Sequence, residues 1–296
     1  MTMLYPRKKF RKVYIEISNV CNLKCSFCPQ TYLQRESDFM KADFFESLVK
    51  QVSPKVYLLC LHVMGEPLNH PQLPEFIKIC EKHEQAVSIV TNGVQLNERN
   101  IQALLQPTVH QINFSLQSFG DNFPQSSNRD YLKKIFNFVS LVLEKRPDMH
   151  INLRLWNSGH DQKTIDENSG IIAGIAKFLD LDFAEIAKLS LKGHRIKGNI
   201  FLNLAERFEW PELDGPLVAE RGYCVALKNQ FAILVDGTVV PCCFDREGVI
   251  DLGSCRKMSL DDILADDRAQ NLRKGFQQSR IVEELCKRCT YRERFN

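Results

Sequence analysis

The sequence predicts an α/β fold, in which a partial, open barrel of parallel strands and helices is followed by a small cysteine-rich domain. The first observation is that apolar, β-rich runs alternate with helix-periodic runs over residues 13–187, as parallel βαβ units require. The second is that only five or six such units are present, too few for a closed eight-stranded barrel. The third is that this alternation stops near Leu189, and the remaining chain ends in a separate group of cysteines.

Five strands are predicted from apolar runs over residues 13–17, 56–63, 86–91, 111–116 and 151–155. Five helices are predicted from 3.6-residue periodicity over residues 42–52, 73–83, 97–105, 131–145 and 165–179. Asn97 followed by Glu98 is typical of a helix start, and Pro147 of a helix stop. A sixth, weaker strand is predicted over residues 183–187.

The pattern changes after about Leu189, where glycines and prolines interrupt the chain. We therefore predict a barrel over residues 1–190, a linker over 191–220 and a cysteine-rich domain over 221–296. Within the last domain, residues 231–240 predict a hairpin that turns at Asp236 and Gly237. Two helices are expected to follow, near residues 260–264 and 267–276.

Composition places the chain among globular proteins. It has 296 residues, of which 44% are hydrophobic and 25% charged, and no apolar run approaches the ~18 residues of a membrane span. Residues 1–12 lack the apolar segment of a secretory signal. The 11 cysteines are odd in number and clustered, which favours metal ligation in a reducing cytoplasm over a disulfide framework. We therefore expect a cytoplasmic protein with no membrane partner.

The formal net charge of +3 gives no global electrostatic case for nucleic-acid binding. Basic residues nevertheless cluster in two places: Arg7, Lys8, Lys9, Arg11 and Lys12, then Lys188, Lys192, His194, Arg195 and Lys197. Such runs are usually solvated surface. The alternative is that they meet an anionic substrate or RNA.

Three cysteines lie together after the first predicted strand: Cys21, Cys25 and Cys28, in the spacing CxxxCxxC. Three thiolates on one short loop can hold three irons of a [4Fe–4S] cube, whereas a purely structural cluster takes four cysteines. The spacing therefore predicts a cluster with one iron free for a further ligand. Zinc fits less well, because it prefers pairs of CxxC hooks from separate loops.

A second cysteine group lies near the C-terminus and consists of Cys224, Cys242, Cys286 and Cys289, the last two in a CxxC hook. Four cysteines suffice for one fully ligated [4Fe–4S] cluster. Taken alone, the same four could instead form a structural zinc site. On that alternative the chain would be a non-enzymatic, zinc-binding interaction module.

The first cysteine loop, with aromatic Phe27 before its last cysteine, resembles the signature of the radical SAM superfamily. The resemblance implies a partial (β/α)6 radical SAM barrel whose free iron binds S-adenosylmethionine (SAM). A donor such as flavodoxin or ferredoxin would supply one electron. Reductive cleavage of SAM would then give methionine and a 5′-deoxyadenosyl radical that abstracts hydrogen from the substrate.

Residues at other predicted strand ends extend the resemblance. Gly65 and Glu66 resemble the GGE motif that grips the SAM amino group, although Met64 replaces its first glycine. A strand-4 Ser and a strand-5 Arg or polar residue meet the SAM ribose and carboxylate in similar enzymes. The matching residues here are Ser115, Gln117, Arg154 and, less specifically, Asn157, all expected on the same rim as Thr91, Asn92 and Gly93.

The C-terminal cysteines, with Gly237 five residues before Cys242, resemble the SPASM and twitch domains of radical SAM enzymes. The absence of further cysteines after Cys289 indicates the twitch version, with one auxiliary [4Fe–4S] cluster. In sulfatase-maturing relatives an acidic base follows the Cys that corresponds to Cys242. Here that place holds Cys243, and the nearest acid is Asp245.

The remaining cysteines are assigned no ligand role, although Cys243, adjacent to Cys242, could compete for its place. Cys60 and Cys80 lie on apolar faces and are predicted to be core residues. No role is predicted for Cys255. The expected function is hydrogen abstraction from a small molecule, with a net oxidation assisted by the auxiliary cluster. A ribosomal peptide is the alternative substrate, disfavoured because the barrel begins at once without a leader-binding domain, and RNA is the third class.

Overall fold

The computed structural model describes residues 9–123, 128–158 and 161–295. Its centre is one open sheet, in which the strands lie in the order β6-β7-β5-β4-β3-β2-β1-β8-β9. The strands are β1 Phe10–Ile15, β2 Val56–Cys60, β3 Val87–Thr91, β4 Val109–Ser115, β5 His150–Ser158, β6 Gly193–Lys197, β7 Ile200–Glu206, β8 Ala232–Ile233 and β9 Val239–Val240.

Six neighbouring strands, β1 to β5 and β7, run parallel to one another. Strand β6 pairs antiparallel with β7 at one edge. At the other edge β8 pairs parallel with β1, and β9 antiparallel with β8. The sheet does not close on itself, so the predicted partial barrel is confirmed.

Helices follow the strands, as right-handed βαβ crossovers require. They are α1 Ala42–Val52, α2 Leu73–Lys82, α3 Glu98–Leu104, α4 Phe119–Asn122, α5 Asn128–Lys145, α6 Gln162–Leu179, α7 Phe183–Ala187, α8 Leu260–Ala265, α9 Asp267–Gln277 and α10 Glu284–Lys287. All seven predicted helices are present within a few residues of their predicted ends. Asn97 caps α3 as expected, because its side chain accepts from the Asn100 amide at 3.0 Å.

The prediction of a strand over residues 183–187 was wrong, since this segment forms helix α7. Its first turn is capped by Asp182, whose carboxylate accepts from the Ala184 amide at 2.8 Å. The sixth parallel strand is β7, within the range predicted as linker. Gly198 adopts a left-handed φ of +50° and turns the β6–β7 hairpin, so a glycine that suggests a linker instead serves a tight turn.

The apolar core lies between the sheet and its helices. Phe45 of α1 and Phe76 of α2 stack there with ring centroids 4.2 Å apart, and Cys80 is fully buried among them. A smaller apolar group lies on the inner face of the barrel. It contains Tyr14 and Cys60 from the first strands, together with residues of the β8–β9 hairpin. Both cysteines predicted as core are thus buried.

The predicted hairpin over residues 231–240 is confirmed. Gly237 has a φ of +98°, and its amide donates to the Leu234 carbonyl at 2.9 Å. No helix in the described ranges is both long and apolar enough to cross a membrane.

Candidate active site

The first cysteine loop extends from the carboxyl end of β1. The Cys28 amide donates to the Cys25 carbonyl at 3.0 Å, which folds the loop back on itself. From the start of α4, Asp121 accepts from the Ser26 amide at 2.7 Å. Asn122 donates to the Cys25 sulfur at 3.3 Å. The loop is therefore held from outside by another strand end of the barrel.

The three thiols lie close together, because Cys25 and Cys28 both act electrostatically on Cys21, and Cys25 acts on Cys28. Burial raises the pKa of Cys21 to about 12 and that of Cys28 to about 11, and it also raises the pKa of Cys25. Thiols that resist ionisation in this way need a nearby cation to become thiolate ligands. The donor set therefore fits an iron cluster.

A buried carboxylate that the sequence prediction missed fixes this loop to the sheet. Glu16, directly after β1, is fully buried and pairs with both terminal nitrogens of Arg35 at 2.8 Å. It also accepts from the Met64 amide at 3.1 Å and the Val235 amide at 3.0 Å. The signal in the sequence was an acidic residue inside an apolar run, which a soluble strand rarely buries without partners.

Gly65 and Glu66 lie against the cysteine loop, as predicted. The Glu66 amide donates to the Val20 carbonyl at 2.9 Å, and the Gly65 amide to the Gln30 side chain at 3.1 Å. Gly65 has a φ of +75°, and a Cβ at this position would overlap the Ser18 carbonyl oxygen. Only glycine allows this close approach of the two segments.

Glu66 is buried rather than a solvated turn residue. Its carboxylate accepts from the Leu68 amide at 2.9 Å, the Thr91 hydroxyl at 2.7 Å and the Asn92 amide at 2.7 Å. Burial raises its pKa to about 7, although these hydrogen bonds oppose the shift. An ionised carboxylate has about four acceptor positions, so one remains for a ligand.

A cavity of about 640 Å³ occupies the inside of the barrel. Its lining includes the predicted residues Phe27, Cys28, Ser115, Gln117 and Arg154. The lining does not include Gly65 and Glu66. Asn157 instead lines a separate surface pocket behind Gln117 and accepts from Asn168 at 3.0 Å. The structure therefore brings most of the predicted strand-end residues to one cavity.

Arg154 turns from the rim toward the interior of the barrel. It pairs in register with Ser115, but its guanidinium donates to Asn113 at 2.7 Å, two residues before that strand end. It also lies 4.5 Å over the Trp156 ring. Its Nε is buried and has no hydrogen-bond partner among the residues that the structure describes.

The second cysteine group also gathers around one small space. Cys224, Cys242, Cys286 and Cys289 all line a cavity of about 30 Å³. Burial raises the pKa of each thiol, and neighbouring thiols of the group add to the shift of Cys224, Cys242 and Cys286. The four sulfurs therefore lie close enough to act as one donor set.

Across residues 9–123, 128–158 and 161–295, no three His, Cys, Asp or Glu side chains form a group that could hold one metal ion. Zinc sites need ligand atoms within about 2.3 Å of a single point. A cube places its cysteines on separate irons, so its ligands lie farther apart. The four C-terminal cysteines share one pocket and match in number the ligands that a fully coordinated cube needs.

Cys242 and Cys243 face opposite sides of the same chain segment. Cys242 lines the small cysteine pocket, whereas Cys243 lines the barrel cavity and receives a hydrogen bond from Tyr14. Asp245 is buried and accepts from the Val249 and Ile250 amides at 2.8 Å each. That carboxylate stabilises a turn and does not line the barrel cavity.

Phe244 lines both the barrel cavity and the cysteine pocket, so the two spaces are adjacent. Cys255 lines neither of them. Of the first basic run, Arg7 and Lys8 lie outside the described residues, while Arg11 and Lys12 line the cavity. The second run borders the exposed β6–β7 hairpin, where Arg195 bonds Asn199 at 2.7 Å, and it lines neither site.

Comparison with known proteins agrees with this geometry. Residues 15–155 match the model of the radical SAM superfamily, and residues 224–290 match that of the SPASM iron–sulfur cluster-binding domain. A tungsten-containing aldehyde ferredoxin oxidoreductase cofactor-modifying protein of Pyrococcus furiosus is 21% identical, over 95% of this chain and 87% of the relative. An SAM-dependent 2-deoxy-scyllo-inosamine dehydrogenase of Niallia circulans is 20% identical, over 95% and 93%.

The fold is similar to that of solved structures. BtrN in complex with AdoMet and 2-DOIA superposes with a TM-score of 0.62 at 19% identity, covering 96% of this chain and 94% of that one. SuiB of Streptococcus suis bound to precursor peptide SuiA gives a TM-score of 0.60 at 16% identity, covering 95% and 71%. The radical SAM match includes the first cysteine loop, and the SPASM match includes all four cysteines of the second group. The chain is therefore a radical SAM protein with a C-terminal SPASM-type iron–sulfur domain.

Proposed function

We propose that this protein oxidises a small molecule by hydrogen abstraction at the inner cavity of its barrel. One observation carries the proposal: a single cavity is bounded by both cysteine sites. Phe27 and Cys28 of the first loop contribute to its wall, as do Cys243 and Phe244 beside the second group. A substrate in this cavity would lie between the two.

The resident groups are a [4Fe–4S] cluster at Cys21, Cys25 and Cys28, SAM, and an auxiliary [4Fe–4S] cluster at Cys224, Cys242, Cys286 and Cys289. When loaded, the first cluster and SAM supply a 5′-deoxyadenosyl radical that removes a hydrogen atom from a substrate carbon. The protein itself positions the substrate and excludes water.

Individual residues have distinct roles in this proposal. Glu66 would accept from the SAM amino group with its remaining acceptor position, next to Gly65. Ser115 and Gln117 line the cavity at the end of β4 and would contact SAM, and the buried Gln117 Oε1 has no hydrogen-bond partner among the described residues. Phe27 shields the mouth, with the Arg207 guanidinium 5.6 Å from its ring centroid.

The position of the second cysteine group supports a net oxidation. An alcohol carbon that has lost a hydrogen atom becomes a carbonyl when one further electron and one proton leave. The cysteine pocket meets the cavity at Phe244, so a cluster held there would be placed to receive that electron. The dehydrogenase relative, aligned over nearly the full length of both chains, supports this type of reaction.

The volume of the cavity favours a small-molecule substrate over a peptide. Its volume of about 640 Å³ falls in the usual range of small-molecule sites, about 300–1,000 Å³. The SuiB structure bound to its precursor peptide keeps a ribosomal peptide as the second candidate. The reductant would be a small electron carrier such as flavodoxin or ferredoxin, in the reducing cytoplasm where free thiols persist.

The test uses protein purified and reconstituted without oxygen. With dithionite and SAM alone it should form 5′-deoxyadenosine slowly, and fractions of a metabolite extract should accelerate that reaction. Mass spectrometry should then find a product two hydrogens lighter than the compound consumed. No 5′-deoxyadenosine under any condition would refute the proposal, and acceleration only by a peptide fraction would establish the second candidate instead.

A further inference from the structure

The inner cavity contains a cation with no counter-charge. Arg154 forms no ion pair with any described residue, and its Nε is buried without a partner. Among the described residues, its guanidinium donates only to the neutral side-chain amide of Asn113. Arg154 is half-buried and lines the cavity. Since an unpaired charge that has lost part of its water is costly, an anionic ligand in the cavity would stabilise it.

The groups that face Arg154 do not neutralise it. They are Tyr14, Cys60, Cys243 and Tyr291. Burial raises the pKa of Cys60 to about 12 and also raises that of Tyr14. The other two groups are a thiol and a phenol, and none of the four is a carboxylate. Burial lowers the pKa of Arg154 to about 10, so Arg154 keeps its charge.

Two further groups line the same cavity as Arg154. Among the described residues, the buried His62 Nδ1 has no hydrogen-bond partner, and the His62 ring lies edge-on to Tyr14 at 5.3 Å. Lys12 lies on β1, the strand next to the one that His62 follows. The charges of Arg154 and Lys12 both act on His62 and add to the burial that lowers its pKa to about 3. His62 is therefore a neutral hydrogen-bonding group in the field of two cations.

The remaining lining matches this charge. Among the described residues that line the cavity, none is Asp or Glu. One wall is aromatic and includes Trp156, Phe208, Trp210 and Phe244, whose rings contact each other in sequence. A ligand that fills this space would present an anionic group to Arg154 and an apolar or planar body to the aromatic wall.

We propose that Arg154, His62 and Lys12 form an anion-binding subsite in the floor of the cavity, which holds a carboxylate or phosphate of the substrate. This inference rests on the proposed function and narrows its substrate to small organic anions. The resemblance assigns Arg154 to the SAM carboxylate instead. The direction of its side chain, toward Asn113, Tyr14 and Cys60 rather than along the rim, favours the substrate.

The test is calorimetric titration of the anaerobic, cluster-loaded protein, saturated with SAM and without reductant so that SAM stays intact. The probes are phenyl phosphate, benzoate and neutral benzamide, at constant ionic strength. At least one anion should bind more tightly than benzamide by about tenfold or more, as a charge-assisted hydrogen bond provides. Comparison of the two anions shows whether the subsite takes phosphate or carboxylate.

Single-residue variants test which side chains produce the preference for anions. Arg154→Gln should abolish the preference for anions, Arg154→Lys should restore part of it, and His62→Gln should weaken it. The matched control is Arg195→Gln, an exposed arginine of the same sheet outside the cavity, which should bind the anions as the wild type does. Iron content and the circular-dichroism spectrum verify that each variant is folded. If Arg154→Gln does not fold, the His62→Gln and Lys12→Gln results decide.

Three results would overturn the proposed subsite. The first is equal binding of all three probes. The second is unchanged anion binding in folded Arg154→Gln or, if that variant does not fold, in both His62→Gln and Lys12→Gln. The third is competition between the anions and SAM. The last result would place Arg154 at the SAM carboxylate. Because these titrations contain no reductant, they are independent of whether the protein forms 5′-deoxyadenosine, which tests the proposed function.

Discussion

Glu16 and Arg35 form a buried two-point ion pair in which each carboxylate oxygen lies 2.8 Å from a guanidinium nitrogen. Through this pair the end of β1 holds the segment after the first cysteine loop. The other bonds of Glu16 reach Met64 and Val235, so one carboxylate connects the barrel to the hairpin of the C-terminal domain.

Glu16→Gln should therefore destabilise the whole fold. Removing one partner of a buried pair leaves the other charge unsatisfied, which typically costs about 3–5 kcal/mol. Urea unfolding of the apoprotein measures the loss. The control is Glu185→Gln, which breaks an ion pair with Lys188 whose side chains are 75% and 74% exposed. A surface pair of this kind contributes about 0–1 kcal/mol. Equal stability of the two variants would contradict the role of Glu16.

Replacing Cys21, Cys25 and Cys28 together with Ala should abolish reductive cleavage of SAM, because these residues alone leave an iron free. About four irons should remain, in the C-terminal cluster. Iron analysis and chromatography of 5′-deoxyadenosine measure both effects. Cys255→Ala, outside both cysteine sites, should keep full activity and iron. Unchanged 5′-deoxyadenosine in the triple variant would show that SAM is cleaved elsewhere.

The wild-type chain should bind about eight irons, four at each site. The adjacent cysteines provide a matched comparison. Cys242→Ala should lose most of the auxiliary cluster, whereas Cys243→Ala should keep about eight irons, because its side chain faces the barrel cavity. Four irons and one zinc per wild-type chain would instead support a structural zinc site. If only Cys243→Ala lost iron, Cys243 rather than Cys242 would be the cluster ligand.

Glu66→Gln should weaken SAM binding by about 10- to 150-fold, since a charge-assisted hydrogen bond contributes roughly 1.5–3 kcal/mol. Calorimetry with unreduced protein measures the affinity, and iron content confirms that both clusters remain. If this variant binds SAM with wild-type affinity, Glu66 does not contact SAM, and its role is limited to the structural hydrogen bonds with Thr91 and Asn92.

The pH dependence of SAM binding should follow Glu66. Burial raises its pKa to about 7, so the carboxylate is mostly protonated at pH 6 and mostly ionised at pH 8. SAM affinity should therefore rise across this interval in the wild type, and the rise should be smaller in Glu66→Gln. The same shift means that ionisation of Glu66 destabilises the fold as pH increases from about 4.5, its ordinary pKa, to about 7. A pH profile identical in both proteins would exclude Glu66 as its source.

The sequence alone determined the features that depend on local spacing. The CxxxCxxC loop, the four C-terminal cysteines and the alternation of strands and helices are all periodic or short-range patterns. They sufficed to predict an open parallel barrel and the cysteine-rich domain after it. The segment over residues 183–187 was misassigned because a five-residue apolar run has too little periodicity to separate a strand from a helix.

Only the tertiary structure decided which distant side chains meet. Glu16 and Val235 are 219 positions apart, and no local pattern in either segment predicts their hydrogen bond. Whether Cys242 or Cys243 faces the barrel cavity depends on the direction in which the hairpin packs against β1. The absence of Asp and Glu from the described lining around Arg154 depends on several segments that converge in space. Electrostatic pairing and burial are set by the packing of the whole chain, so they were absent from the one-dimensional pattern.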